Sequence, residues 1–563
     1  VASTLTTVFA FLPMVFWPGT IGEFMKFLPL TLIITLLSSL FVALVFNTVI
    51  CSTFMNVKKR HISEDEELKF SKVIQFYMKT VQFALDHRAL ALIVTMVLVI
   101  LPMFLFSARG LGVEFFPESD PQRVFIRANA PQGTNAATTN DMVMKFREAT
   151  LNEPNVKLTV GEVGGAAADY SDAGGTSTHR GRLTIEFIDF EDRSEPSPET
   201  VNRIREKLNF FPGAEVVWEK EQMGPPTGDA VSIEISGRDV DVLGKLAAEI
   251  KKIVEPIPGL VDLKDDYVKS KPEIRIDVDR EKAALLGLNT SSIASAVRGA
   301  VYGLEVGKYR EGDNEYDIKV RLPDEKRKSI DDIKNLMINT PTGDYVPISS
   351  VAEVSMSAGF GTITRIDFKR VVNVTANAEG RSSVEVMKDV AERLKNFDMP
   401  PGYVINYTGE TEEQQEASSF LGKALVVALF LILMVLLIEF NSFAQTFIIL
   451  FTIILSIGGI FWGLTITGTN FGIIMTGIGV ISLAGIVINN GIILIDYTNQ
   501  LRSEGMKMRE AIIRAGAVRF RPVMLTAWTT VLGMVPMATG LGIDFKNMAF
   551  VTGAEMSQWW SPM

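Results

Sequence analysis

The chain has 563 residues, 47% hydrophobic yet 21% charged, with a formal net charge of -10. These two populations are segregated along the sequence, which argues against one globular core and for membrane segments joined to a large water-soluble block. The absence of a long basic block argues against nucleic acid as a partner, and a single cysteine, Cys51, excludes an intrachain disulfide. Three histidines (His61, His87, His179) with no His/Cys cluster give no zinc-type ligand set, so neither a metal centre nor a cofactor is expected. No phosphate loop, nucleophile elbow or nucleophile-base pair stands out, so the chain is not read as an enzyme and no catalytic residue is named.

Val1 to Trp17 is apolar enough to be the second part of a spanning helix, turned by Trp17-Pro18-Gly19. Starting at Val1 without a signal-type segment and stopping soon after Trp559-Trp560, the chain reads as a fragment cut at both ends. Lys26 and Lys58 bracket an uncharged stretch that holds a full span from about Phe27 to Phe54, so residues 1–57 contain two spans. Lys58-Lys59-Arg60 marks the cytoplasmic end by the positive-inside bias. Within residues 58–87 the spacing of Leu68, Val73, Phe76, Tyr77, Val81 and Phe83 predicts an amphipathic helix at the membrane surface, and a plain soluble linker helix fits as well. Residues 88–108 form the next span, leading outward.

Residues 109–417 alternate strand and helix signals. In 109–226 these are strand 123–128, helix 136–150, strand 156–163, strand 181–189, helix 198–209 and strand 214–220, with a Gly/Ala/Ser-rich loop from Gly164 to Thr178. A second unit, 227–273 with 367–417, has strands at Val231–Ser236, Val261–Leu263, Val371–Ala376 and Tyr403–Tyr407 and helices at 239–254 and 382–396. Residues 274–366 interrupt it with strand Ile274–Val278, helix 290–300 and a hairpin from Gly303 to Arg321. Repeated strand-helix-strand units with short connections predict ferredoxin-like split βαβ subdomains. The fold class is thus an α+β membrane protein, a transmembrane helix bundle plus a large extracytoplasmic domain.

Residues 418–540 hold four spans, at Leu421–Ile438, Thr446–Thr467, Phe471–Tyr497 and Pro522–Gly540, and 541–563 begin an incomplete final segment. Six Lys/Arg between 499 and 521 place that loop in the cytoplasm, in agreement with the earlier basic cluster. The outer block, about 109–417, then lies across the membrane, in the periplasm of a cell with two membranes. The stretch Ser482 to Tyr497 carries adjacent amides, Asn489 and Asn490, in a glycine-dotted apolar run. Amides there are costly unless they face other helices, so both should point into the bundle, either as packing glue or as part of an ion path. Asp496, two helical turns from Asn489, is a weaker candidate for the same path, the alternative being an aspartate in the headgroup region.

This order of elements resembles the resistance-nodulation-division (RND) transporters. Phe115-Phe116-Pro117-Glu118-Ser119-Asp120, Pro131-Gln132-Gly133-Thr134, Ile276 to Ala283 with Leu286-Gly287-Leu288, Gly485 to Tyr497, and Arg519-Phe520-Arg521-Pro522 through Thr526 are similar to that family's motifs in order. The resemblance is strongest to the hydrophobe/amphiphile efflux branch, the acriflavine-resistance-type multidrug pumps. It implies an inner-membrane secondary transporter that exports drugs and amphiphiles by proton antiport. It further implies a homotrimer in membrane lipid, working with a periplasmic adaptor protein and an outer-membrane channel. By it, 109–226 and 227–273 with 367–417 are porter subdomains and 274–366 is the docking subdomain. Arg519 and Thr526 match the family's supporting arginine and threonine, while Asn489 stands where its lysine would be. An amide cannot serve as that lysine's cation, so Asn489 and Asn490 are expected to act as neutral hydrogen-bond partners of carboxylates elsewhere in the protein. A heavy-metal cation exporter and a protein-export accessory of the same superfamily are the alternatives. For the first, Met223 is the soft side chain near the cleft, but without a nearby Met, His or Cys it reads more simply as a packing residue than as a ligand; the second is disfavoured by the inserted 274–366 block. Phe125, Phe187, Trp218 and Phe360 either line a cargo cleft or belong to the core.

Overall fold

The computed structural model describes residues 1–54, 71–117, 120–164, 177–208, 213–221, 224–225, 228–267, 270–360, 363–544, 549–551, 555–561 and 563. The Gly164–Thr178 loop, Met223 and much of the 58–87 segment fall largely or wholly outside them.

On the membrane side the chain opens with α1 (Ala2–Phe11), followed by α2 (Gly19–Met25), α3 (Phe27–Val42) and α4 (Thr48–Phe54). The surface helix α5 (Lys72–Asp86) and the span α6 (Arg88–Ala108) follow. Val73, Phe76 and Phe83 of α5 are exposed, an apolar face suited to lipid. Its other side packs on a later span: Tyr77 meets Phe520 with ring centroids 4.9 Å apart, and Asp86 pairs with Arg509.

The first outer unit runs β1 (Val113–Glu114), β2 (Arg123–Asn129), α7 (Ala136–Thr150), β3 (Val156–Val163), β4 (Arg180–Phe187), α8 (Ser197–Lys207) and β5 (Glu215–Lys220). Strands β3-β4-β2-β5 form one antiparallel sheet in that order, the split βαβ topology expected from the sequence. Strand period 2 turns Val124, Ile126 and Ala128 inward, where they meet Val143 and Phe146 of α7 and Ile204 of α8 in one core. Phe187 is fully buried there, so it is core and not cleft wall.

The second unit is β6 (Val231–Gly237), α9 (Val240–Val254) and β7 (Leu260–Asp265), then an insertion, then the closing elements. The insertion holds β8 (Ser270–Val278), α10 (Arg280–Leu285), α11 (Thr290–Val301), β9 (Leu304–Glu311), β10 (Asn314–Val320), α12 (Ile330–Lys334), β11 (Met337–Asn339), β12 (Tyr345–Pro347) and β13 (Ala352–Phe360). Strands β9 and β10 are the expected hairpin, and β13 pairs with β8 along its length. Asp279 caps α10 by accepting from the Glu281 and Lys282 amides, and Gly287 follows at φ +66, so the motif starting at Ile276 is a cap, a short helix and a left-handed turn. The unit closes with β14 (Thr364–Ile366), β15 (Lys369–Ala378), α13 (Ser383–Leu394) and β16 (Val404–Thr408). Its sheet runs β14-β15-β6-β16 with β7 also on β15, so β14 belongs to this sheet and the insertion ends a few residues before the expected 366. Val231, Ile233 and Ile235 pack on α9 and α13 in a second, separate core.

The chain returns to the membrane as α14 (Glu410–Phe440), α15 (Phe443–Thr467), a short β17 (Phe471–Gly472), α16 (Met475–Ser503) and α17 (Met508–Thr539). Among the described residues six helices are long and apolar enough to span, and Ala2–Phe16 is a shorter apolar helix. Helix α16 runs on past the expected Tyr497 to Ser503, and α14 and α17 outrun their expected spans further. Helix α14 starts at Glu410, where three glutamates in its first turn suit the positive helix end. Helix α17 starts at Met508 and carries Pro522 inside it: the charged loop expected to end there is largely helical, and the proline removes a backbone donor without ending the helix.

Helix α16 sits inside the bundle against α1, α14, α15 and α17. It packs closely on α1: a Cβ on Gly485 would lie 2.9 Å from the Ala10 Cβ and 3.1 Å from the Thr7 Cα. Because Thr7 Cα is backbone, Gly485→Leu must push the two helices apart. We expect thermal unfolding of the full-length protein in detergent to show a loss of about 1–3 kcal/mol, whereas an unchanged melting curve would contradict this packing.

Candidate functional site

Two places gather polar groups where the fold would otherwise be apolar or closed: the amide pair of α16, and a cleft between the two outer units.

Asn489 and Asn490 are both half-buried, and each faces a different neighbouring helix. The Ser3 hydroxyl on α1 donates to Asn489 Oδ1, and the Thr526 hydroxyl on α17 donates to Asn490 Oδ1 at 3.3 Å. One turn away, Thr7 Oγ1 donates to the Gly485 carbonyl at 3.1 Å. The amides thus point into the bundle, as their cost in lipid requires, and their partners among the described residues are hydroxyls. Arg519 lies a short way toward the cytoplasm, its guanidinium 4.5 Å from the Tyr497 ring centroid. Its Nε is buried without a hydrogen-bond partner among the described residues. Asp496 is exposed on α16 and makes no ion pair among the described residues, so the structure does not bring it to the amides. Of the five candidates, the fold joins Asn490 to Thr526 directly and places Asn489 beside α1. The partners Ser3, Thr7 and Tyr497 were not picked out from the sequence; the hydroxyls in the apolar Ala2–Phe11 helix were the available signal.

The cleft has a volume of about 1420 Å³ and runs between the two outer units down to the membrane side. Phe116 and Phe125 contribute aromatic wall with the edge of the largely buried Trp218, so Phe125 and Trp218 of the aromatics named from the sequence reach it, while the Phe360 side chain lies outside the described ones. Seven acidic side chains (Glu114, Glu219, Glu221, Asp229, Asp262, Glu379, Glu410) line it against five basic ones (Arg127, Arg205, Lys220, Lys264, Arg381). Most of these charges are paired: Arg127 with Glu219 at 2.8 Å, Lys264 with Glu219 at 3.7 Å, and Arg205 with both Asp262 and Glu379. The described lining has no His, Cys or Met, and no three-residue His/Cys/Asp/Glu group able to hold a metal occurs among the described residues.

The cleft is tied to the amide helix. Glu114 of β1 accepts from Asn470 Nδ2 at 2.9 Å, and β1 pairs in parallel with β17 at the head of α16. Ser382, at the start of α13, donates to the Val113 carbonyl at 2.7 Å. One short strand pair therefore connects α6, α16 and the second outer unit.

A multi-pass bundle with an amide-bearing central helix, two split βαβ units and an insertion defines a membrane transporter architecture. A family model described as the AcrB/AcrD/AcrF family matches residues 1–547, and the chain belongs to that family of RND proteins. Among curated relatives, it is 26% identical to the cobalt-zinc-cadmium resistance protein CzcA of Cupriavidus metallidurans over 98% of this chain and 52% of that protein. It is 24% identical to the swarming motility protein SwrC of Bacillus subtilis, over 96% of this chain and 50% of the relative. The nickel and cobalt resistance protein CnrA of Cupriavidus metallidurans is 25% identical over 98% and 51%. A crystal structure of a heavy metal efflux pump superposes with a TM-score of 0.77 at 21% identity, covering 100% of this chain and 55% of that one, a likeness of fold. The chain spans about half the length of the curated relatives it matches.

Burial in the cleft pushes the Asp262 carboxyl above its ordinary value, while the Arg205 charge and the Asn377 hydrogen bond pull it back. A carboxyl whose folded value is raised contributes fully to stability below its unfolded value, and that contribution is lost as pH rises through the folded value. Thermal melts of the full-length Asp262→Asn variant and the parent, compared from about pH 4 to about pH 7, should therefore shift in the variant's favour as pH rises. A difference independent of pH would contradict the raised carboxyl.

Proposed function

We propose that the complete protein is an RND exporter in the inner membrane, with the outer block in the periplasm, moving divalent metal cations outward in exchange for protons. The observation that carries the transporter reading is the family match over residues 1–547. The cargo reading replaces the amphiphiles expected from the sequence motifs. It is supported by relatives named for cobalt, zinc, cadmium and nickel resistance, and by a cleft wall with seven acidic against five basic side chains. Oxygen ligands can take divalent cations transiently without the fixed soft-ligand set that tight retention needs. Amphiphilic cargo stays as a second reading because Phe116, Phe125 and the edge of Trp218 offer an apolar wall in the same cleft.

In this proposal the protons are carried by carboxylates on the rest of the protein, and the groups of this chain serve them. Asn489 and Asn490 are neutral hydrogen-bond partners, able to donate to a carboxylate and to accept from a carboxylic acid. Thr526 orients Asn490. The unpartnered Arg519 Nε is a suitable dock for an acidic group. The protein works as a homotrimer with a periplasmic adaptor and an outer-membrane channel, the inserted 270–360 block facing the channel.

The test is growth of a pump-deficient host that expresses the full-length gene with its adaptor and channel. Protection against Co²⁺, Zn²⁺ or Cd²⁺ with none against dyes and detergents is expected, and Asn489→Ala should cut that protection by roughly ten-fold or more in tolerated concentration, the size of one lost coupling contact. Protection against dyes and detergents alone would give the cargo to the second reading. Full protection by the Asn489→Ala variant would remove the amide from the coupling path.

A further inference from the structure

The two outer units have separate hydrophobic cores, so apart from the chain that joins them and their attachment to the membrane helices, the contacts that cross the cleft set their separation. Those contacts centre on Arg205. It stands in the last turn of α8 in the first unit, with its guanidinium carbon 5.4 Å from the Trp218 ring centroid of the same unit. From there it reaches the second unit twice, pairing with Glu379 and with Asp262 at 3.6 Å. Asn377 of β15 reinforces the crossing by donating to the Trp218 carbonyl at 3.2 Å and to Asp262 Oδ2 at 3.3 Å. A second pair, Lys264 with Glu219 at 3.7 Å, crosses on the adjoining strands β7 and β5. Asp262 is held at φ +54, a left-handed conformation that few non-glycine residues adopt, and its carboxylate forms part of this crossing. All of these residues line the cleft or abut it.

We propose that Arg205 is a positioning residue that latches the cleft, its guanidinium clamping Asp262 and Glu379 of the opposite unit so that separation of the units requires both ion pairs to break. The guanidinium lies over the Trp218 ring on one wall, and the carboxylates come from the other, so the latch is made of parts that move apart. The pairs are partly exposed, which keeps each one weak enough to be broken and remade in a working cycle. A shared apolar core would have fused the units instead. The inference rests on the cleft being the cargo path but not on the kind of cargo.

Cleft opening can be read without transport. In the full-length protein, with native cysteines including Cys51 replaced, Ala230→Cys places one thiol on the cleft wall at the start of the second unit. Its rate of labelling by a bulky maleimide in detergent reports opening. Arg205→Gln should raise that rate about five-fold, the effect expected for losing a partly exposed pair of ion pairs. Glu379→Gln, which breaks the latch from the other wall, should move it in the same direction. Arg205→Lys keeps a cation between Asp262 and Glu379 and should leave the rate within about two-fold of the parent. Parent-like labelling in Arg205→Gln and Glu379→Gln, or an Arg205→Lys variant that labels as fast as Arg205→Gln, would overturn the latch. Since no cargo enters this assay, its failure leaves the export reading intact, and a failure of export leaves the latch intact.

Discussion

A polar side chain inside a membrane bundle has to find its partner on another helix, and that requirement governs the arrangement of α16. Asn489 and Asn490 are adjacent on the helix and so project about 100° apart. No single neighbour can satisfy both. The fold answers with two neighbours, α1 through Ser3 and α17 through Thr526. Gly485 lets α1 come close enough for Thr7 to reach the α16 backbone. The helix is thereby pinned on two sides at one depth, which makes it a natural place for a charge change to be felt by several helices together.

What happens at that depth has a direct route outward. The head of α16 is held to β1 by the strand pair at Phe471–Gly472 and by the Asn470–Glu114 hydrogen bond, and β1 is held to α13 through Ser382. Helix α14 gives a second route. It is continuous from Glu410 at the outer unit to Phe440, and Gly409 at φ +67 joins it to β16 with the Asp229 carbonyl only 2.9 Å from where a Cβ would be. Both routes end on the second outer unit. The first unit is reached along the chain that follows β1, where Asp120 pairs with Arg193, and across the cleft through side chains that can let go.

Period-2 and period-3.6 patterns made the outer strands and helices legible, because each unit buries one face of a sheet and the pattern records that burial. The order of the spans and the inserted hairpin were legible for the same reason. Helix ends in the membrane part were not: composition marks where lipid begins, while α14 and α17 run on into water, stabilised there by favourable charge at a helix terminus and by packing on α5. The amides were visible as polar residues in an apolar run, but their partners were not, since Ser3 lies 486 residues from Asn489 and a hydroxyl in a helix looks ordinary. The crossing at Arg205 was hidden more deeply. Arg205, Asp262 and Glu379 were not singled out from the sequence, and only the approach of two separate sheets brings them together.

The central claim is that the α16 amides are tolerated because they are hydrogen-bonded across helices. A double-mutant cycle between Ser3→Ala and Asn489→Ala, followed by thermal unfolding of the full-length protein in detergent, measures that bond directly. The account predicts a coupling of roughly 0.6–2 kcal/mol. Strict additivity of the two substitutions would contradict it.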